Sequence, residues 1–194
     1  SGSMYCHRYG TPMPALISQA LGLYHAKHCT GTFHNTFITF SSNPELVEIC
    51  GQTLEEKLRY IQSSSWEFST NLEAVFDLIL RTAVNAGTPQ EEMPSTLFII
   101  SDMEFNGAVE NPDKTIYENA KAAFEAKGYQ LPAVVFHNVS SWQMQTPVRA
   151  HTKGTALASG TGTNSFNYKF DGNITPMDHM LRVLNSPRYA AVHA

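Results

Sequence analysis

Apolar positions along this chain change period from segment to segment. Leu16, Ala20, Leu23 and Ala26 recur at helical spacing through residues 12–29, and Pro12 suits a first turn, so that stretch reads as a helix. FHNTFITFS, residues 33–41, alternates and is rich in Phe, Thr and Ile, which predicts a strand. SSNP marks a turn, and LVEIC, residues 46–50, reads as a short strand pairing back as a hairpin. A short helix follows over 54–61 with Thr53 as its cap. TNLEAVFDLILRTAVNAG predicts a second long helix, started by Thr70 or Asn71 and ended by Gly87, with Leu72, Val75, Phe76 and Ile79 facing inward. STLFIIS (95–101) and PAVVFHNV (132–139) are unbroken apolar runs of the kind found in buried parallel strands, and TALAS (155–159) is a weaker third. Helices are predicted over 113–127, stopped by Gly128, and over 176–184.

Helices alternating with buried strands predict an α/β fold with a mostly parallel sheet, in one domain over 1–194. In such sheets ligands bind beyond the carboxyl ends of the strands. A hydrophobic fraction of 42% and a charged fraction of 15% are those of an ordinary globular chain. The balance of 13 basic and 17 acidic residues, −4 overall, argues against a generally basic nucleic-acid-binding surface. Cys6, Cys29 and Cys50 form no CxxC spacing and no even set, so a reducing, cytoplasmic setting is expected. No apolar run is long enough to span a bilayer.

The informative polar residues follow the strands. In FIISDMEF the apolar run ends in Ser101 and Asp102, with Glu104 two residues on. A carboxylate at a buried strand end costs roughly several kcal/mol unless a cation or hydrogen-bond donors satisfy it. An Asp capping the next turn is the purely structural alternative. A second hydroxyl-rich loop, SSSWEFST, runs into a helix start at Thr70; capping accounts for one of Ser69, Thr70 and Asn71. The opening SGSM puts the hydroxyls of Ser1 and Ser3 one residue apart, shortly before the first long helix. Hydroxyls and carboxylates are hard ligands, suited to Mg²⁺ that keeps some of its water. Other candidates are weaker. His25 and His28 lie three apart beside Cys29 with no third zinc ligand evident, so a packing role is expected. His137 reads as a hydrogen-bonded structural histidine, and SGTGTN, lacking the GK[ST] end of a P-loop, as a connection.

These residues carry a family resemblance. A strand, an Asp-x-Ser-x-Ser motif, a Thr before a helix and an Asp after a strand make the metal-ion-dependent adhesion site of von Willebrand factor A (vWA) domains. SGSM resembles the Ser-Gly-Ser end of that motif, Thr70 in FSTNLEAVF the family's Thr, and Asp102 in FIISDMEF its second Asp. FITFSSNPEL, AVVFHNV, GTALASGTGTN and DHMLRVLNSPRY extend the likeness over nearly the whole chain. They resemble a bacterial, plant and viral family in which a vWA domain follows a helical-repeat region related to that of the Ro RNA-binding autoantigen.

The resemblance implies a Rossmann-like α/β fold: a mostly parallel central sheet with one antiparallel edge strand and helices on both faces. It implies Ser1, Ser3, Thr70 and Asp102 as ligands of Mg²⁺ (or Mn²⁺ or Ca²⁺); His7 and Arg8, in the loop after SGSM, and Glu104 are the candidates to face a partner, with solvated loop positions the alternative for His7 and Arg8. The partner would be a protein offering an acidic side chain, with RNA reached only through other regions of the full-length protein, no membrane and no catalysis. The family pattern also has an Asp two residues ahead of Ser1, after an apolar central strand, and this sequence has neither. Either the chain starts inside the motif, with that strand absent, or SGS is a cloning scar ahead of Met4. In both cases metal binding by these residues alone is expected to be weak or absent. The competing expectation is a Mg²⁺-dependent phosphodiester hydrolase in which Asp102 and Glu104, two apart on an extended segment, hold the metal that activates water.

Overall fold

Proline decides where the first helix begins. Met13, immediately before Pro14, is pushed out of the helical region (φ −62°, ψ 131°), so α1 runs Pro14–His28 with Pro14 at its first turn. The predicted start at Pro12 is therefore two residues early. The inward face is also different from the one expected: Ala15, Gln19, Leu21, Leu23 and Ala26 are buried, whereas Leu16 is 46% exposed. The computed structural model describes residues 2–5, 12–39, 41, 43–64, 71–103, 116–140 and 154–160, together with 180, 181, 184, 185 and 187.

The hairpin predicted from the alternating segments is present but shorter. Strand β1, Thr36–Ile38, pairs antiparallel with β2, Leu46–Glu48, with Phe37 opposite Val47. The expected start at Phe33 fails because Gly31–Phe33 forms a 3-10 turn and Asn35 takes a left-handed conformation (φ 58°), which asparagine tolerates. Helix α2, Leu54–Ser63, is capped as predicted: the Glu56 N–H donates to Thr53 Oγ1, and the Thr53 N–H donates back to the Glu56 carboxylate. Helix α3, Leu72–Ala86, starts on Asn71, whose side chain accepts the Ala74 N–H, and ends on Gly87 at φ 60°. Thr70, the other predicted cap, lies outside the described residues.

The three apolar runs form one parallel sheet in the order β3-β4-β5, comprising Thr96–Ser101, Ala133–Asn138 and Thr155–Ser159. Thr96 to Ser101 pair in register with Ala133 to Asn138, and Val134 to Asn138 with Thr155 to Ser159. Strand β4 is central and buried from Ala133 through His137. Helix α4, Ile116–Ala126, links β3 to β4, as a parallel pair requires. Residues 113–115 of the predicted helix and most of 176–184 lie outside the described residues.

Helices cover both faces of β3. Successive strand residues point to opposite sides. Phe98 stacks on His25 of α1, with ring centroids 3.8 Å apart and planes 11° apart. Ile99, its neighbour, belongs to the main core with Val75, Phe76 and Ile79 of α3 and Phe124 of α4. A smaller apolar cluster joins α1 and α2 through Leu23, Ala26 and Ile61, with Ile49 just after β2. Among the described residues the hairpin and the parallel sheet are two separate sheets, rather than the single sheet with one antiparallel edge that was expected.

Candidate functional site

The polar residues gather where the parallel strands end. Ser101 closes β3 and is 7% exposed; Asp102 follows at 3%. Met103 then turns left-handed (φ 64°) while remaining buried, an uncommon conformation for an unbranched side chain that redirects the chain just after the carboxylate. The turn is held by the Ser101 hydroxyl, which accepts the Met103 N–H at 2.8 Å, while the Ser101 carbonyl accepts the Val139 N–H. On the next strand the Asn138 side chain accepts the Ser140 N–H at 2.8 Å, and its carbonyl accepts the Gly160 N–H. The three strand ends are thus tied to one another by their own loops.

Two helices start at this same end. The C-terminus of α3 lies at the opposite end: the Tyr129 hydroxyl, just ahead of β4, is bonded with the carbonyls of Ala83 and Thr88. Likewise, a side chain at Gly31, shortly after α1, would touch Glu92, shortly before β3. Both helices therefore run antiparallel to β3, and Pro14 and Asn71 open them at the end where Asp102 sits. The positive ends of two helix dipoles are directed there.

Of the seven residues singled out for metal or partner binding, Asp102 is the one whose side chain is described. Ser3 lies in the 3-10 turn Gly2–Tyr5, where the backbone alone is described. Ser1, His7, Arg8, Thr70 and Glu104 lie outside the described residues. Among the described residues no three His, Cys, Asp or Glu side chains gather as metal ligands, which includes the neighbourhood of His25, His28 and Cys29. No described helix is long and apolar enough to cross a membrane.

The histidines are structural in character. His137 lies inside β4, not after it, and is fully buried. Its Nε2 is 2.9 Å from the Gly160 carbonyl; a carbonyl only accepts, so the proton is on Nε2. Burial lowers its pKa, opposed in part by that carbonyl. His25 is lowered further, to about 4, first by burial and then by repulsion from His137 and His28. Gln19 was not singled out from the sequence, yet it is a buried amide on α1 whose Oε1 has no hydrogen-bond partner among the described residues. Its only signal was a polar residue at a core position, four residues after Ala15 and four before Leu23.

Fold and site together define a mixed α/β protein in which the carboxyl ends of a helix-covered parallel sheet carry a buried aspartate. The chain belongs to the family described as Domain of unknown function (DUF7788), which matches residues 1–179. It is 33% identical over 186 residues to Uncharacterized protein L728 of Acanthamoeba polyphaga mimivirus, an alignment covering 95% of this chain and 32% of that protein. The chain thus spans about a third of that relative's length. No solved structure matches it.

Proposed function

We propose that this chain is a vWA-type binding module that grips a protein ligand through a divalent cation held above the strand ends. The observation that carries this reading is the position of Asp102: buried, at the carboxyl end of β3, at the end of the molecule where α1 and α3 begin. In this reading Ser1, Ser3, Thr70 and Asp102 supply hard oxygen ligands to Mg²⁺, or to Mn²⁺ or Ca²⁺ in its place. An acidic side chain of the partner completes the coordination, with His7, Arg8 and Glu104 around it. In this reading the two sheets seen among the described residues are parts of one Rossmann-like sheet of the longer protein. The module forms part of a longer, Ro-like cytoplasmic protein, a reading supported by a relative about three times the length of the matched region. RNA is then contacted by other regions of that protein.

Calorimetric titration with Mg²⁺ tests the reading. In the longer protein, Asp102→Asn should weaken binding about tenfold or more while circular dichroism stays native, because one of the few charged ligands is lost. The 194 residues alone should bind weakly. Unchanged affinity in the Asp102→Asn protein overturns the proposal. Metal-dependent cleavage of a phosphodiester, abolished by Glu104→Gln, would replace it with the hydrolase reading.

A further inference from the structure

Helix α1 meets the parallel sheet through a pair of histidines. His25 lies flat on Phe98 of β3, with the Tyr24 ring edge-on to it at 5.3 Å. Residues two apart on a strand share a face, and so do neighbours in register, so Phe98, Ile100, Val135 and His137 all point to the α1 side. His137 therefore lies under the same helix, fully buried on β4. The opposite face of the sheet carries Ile99, Val134 and Phe136 into the main core, whose buried members among the described residues include none from α1. Helix α1 is thus attached to the sheet independently of that cluster.

A second proton on His25 finds neither an acceptor nor a counter-charge among the described residues around it. Its Nε2 is buried with no hydrogen-bond partner there. The other unpaired acceptor nearby, Gln19 Oε1, belongs to a residue six positions back, about 9 Å along the helix axis. A cavity of about 200 Å³ lies beside the contact, lined by Gln19, Gly22 and His25 of α1, by residues 96–100 of β3 and by all three residues of β1. The hairpin, α2, α3 and β3 present only uncharged side chains to it. The groups that titrate around His25 are Tyr24 and His28 on its own helix, Cys29 just after it, and His137 on β4. Burial keeps the Cys29 thiol protonated, so it offers no negative charge. Burial first, and then repulsion from His137 and His28, holds His25 down to about 4, and burial lowers His137 as well. A buried imidazolium without a partner is strongly disfavoured, and a helix that lifts away returns it to water.

We propose that α1 and β3 form an acid-released joint, in which protonation of His25, on the same side of the sheet as His137, drives α1 off β3 while β3, β4, α3 and α4 stay folded. A detached helix of 15 residues is marginal in water, so release also melts α1. The joint is closed above pH 6.5, opens progressively as the pH falls toward 4, and gains nothing more from His25 below that. Gly2–Tyr5 leads into α1, whose first turn lies at the Asp102 end. Release therefore separates that end of the helix from Asp102 and makes cation binding there acid-labile. That last consequence rests on the reading above; the joint itself does not.

The test is amide hydrogen exchange on the 194-residue chain in EDTA at pH 7 and pH 5, expressed as protection factors so that the intrinsic pH dependence of exchange cancels. Protection across α1 should fall about tenfold between the two, because opening takes up a proton that the closed joint refuses. The amides of β4 should stay better protected than those of α1 by about tenfold or more at both pH values. His25→Phe keeps the stack on Phe98 and should remove most of the fall. Protection of α1 that ignores pH overturns the proposal, as does protection equal to that of β4 at pH 5, which would mean that α1 opens only with the whole fold. An undiminished fall in His25→Phe overturns it too. The parent's two profiles decide the matter even where the variant is unstable. Working without metal keeps this outcome separate from that of the Mg²⁺ titration.

Discussion

Asp102 was legible in the sequence because it breaks an apolar run, but the turn that carries it was not. Nothing local in SDMEF signals a left-handed methionine, and in the fold Met103 is buried in the main core with residues of α3 and α4. The Ser101 hydroxyl is the local restraint. Ser101→Ala leaves the buried Met103 N–H unpaired and should cost about 1–3 kcal/mol, read as a lowered urea midpoint at unchanged slope. His25 gives a second prediction at this scale. Its folded pKa, about 4, lies below the ordinary 6.5, so between those values the unfolded chain takes up a proton that the folded chain refuses. Stability should be full above pH 6.5, fall as the pH drops toward 4, and lose nothing more from this group below that. His137, lowered in the same sense by burial, adds to the fall. His25→Phe keeps an aromatic face on Phe98 and removes the titration, so its melting temperature should vary less between neutral pH and pH 4 than the parent's.

Individual elements were readable wherever their ends are chemically marked. Thr53, Asn71 and Gly87 each bound a helix at a residue the pattern had indicated. The errors lie where neighbouring segments intervene: Pro14 displaced the start of α1, and the bend at Asn35 cut the first strand to three residues. Strand β5 matches its predicted span, yet its entry depends on a contact between distant residues. Gly154, at φ 81°, leads into it, and any Cβ there would collide with the Tyr117 hydroxyl of α4. Gly154→Ala should therefore destabilise by about 1–3 kcal/mol, from backbone strain and overlap combined. Tyr117→Phe in the same chain should recover the overlap and leave the strain, so a double-mutant cycle should show coupling between the two positions.

At the scale of the molecule, the described residues form two apolar clusters of unequal size. The larger unites α3, α4, β3 and β4, with Ile38 and Leu46 of the hairpin packed against it; the smaller holds α1 and α2 around Leu23 and Ile61, with Phe37 of the hairpin against it. The two sheets share no ladder among the described residues, and side chains such as Ile38 and Leu46 of the hairpin connect it to the larger cluster. In the 194-residue chain, native-state hydrogen exchange should accordingly resolve two opening events. Residues 54–61 of α2 should open at lower free energy than β4, and a single shared opening would refute this.

The sequence by itself determined the order and type of most elements, because periodicity, caps and unbroken apolar runs are local properties of consecutive residues. It also marked Asp102, whose charge is out of place where it stands. Only the tertiary structure decided that α1 and α3 begin at the Asp102 end, that Phe98 meets His25, and that the edges of β1 and β3 border one cavity. Those facts concern segments far apart in the sequence, and which side of a strand is paired leaves no trace in its side-chain pattern.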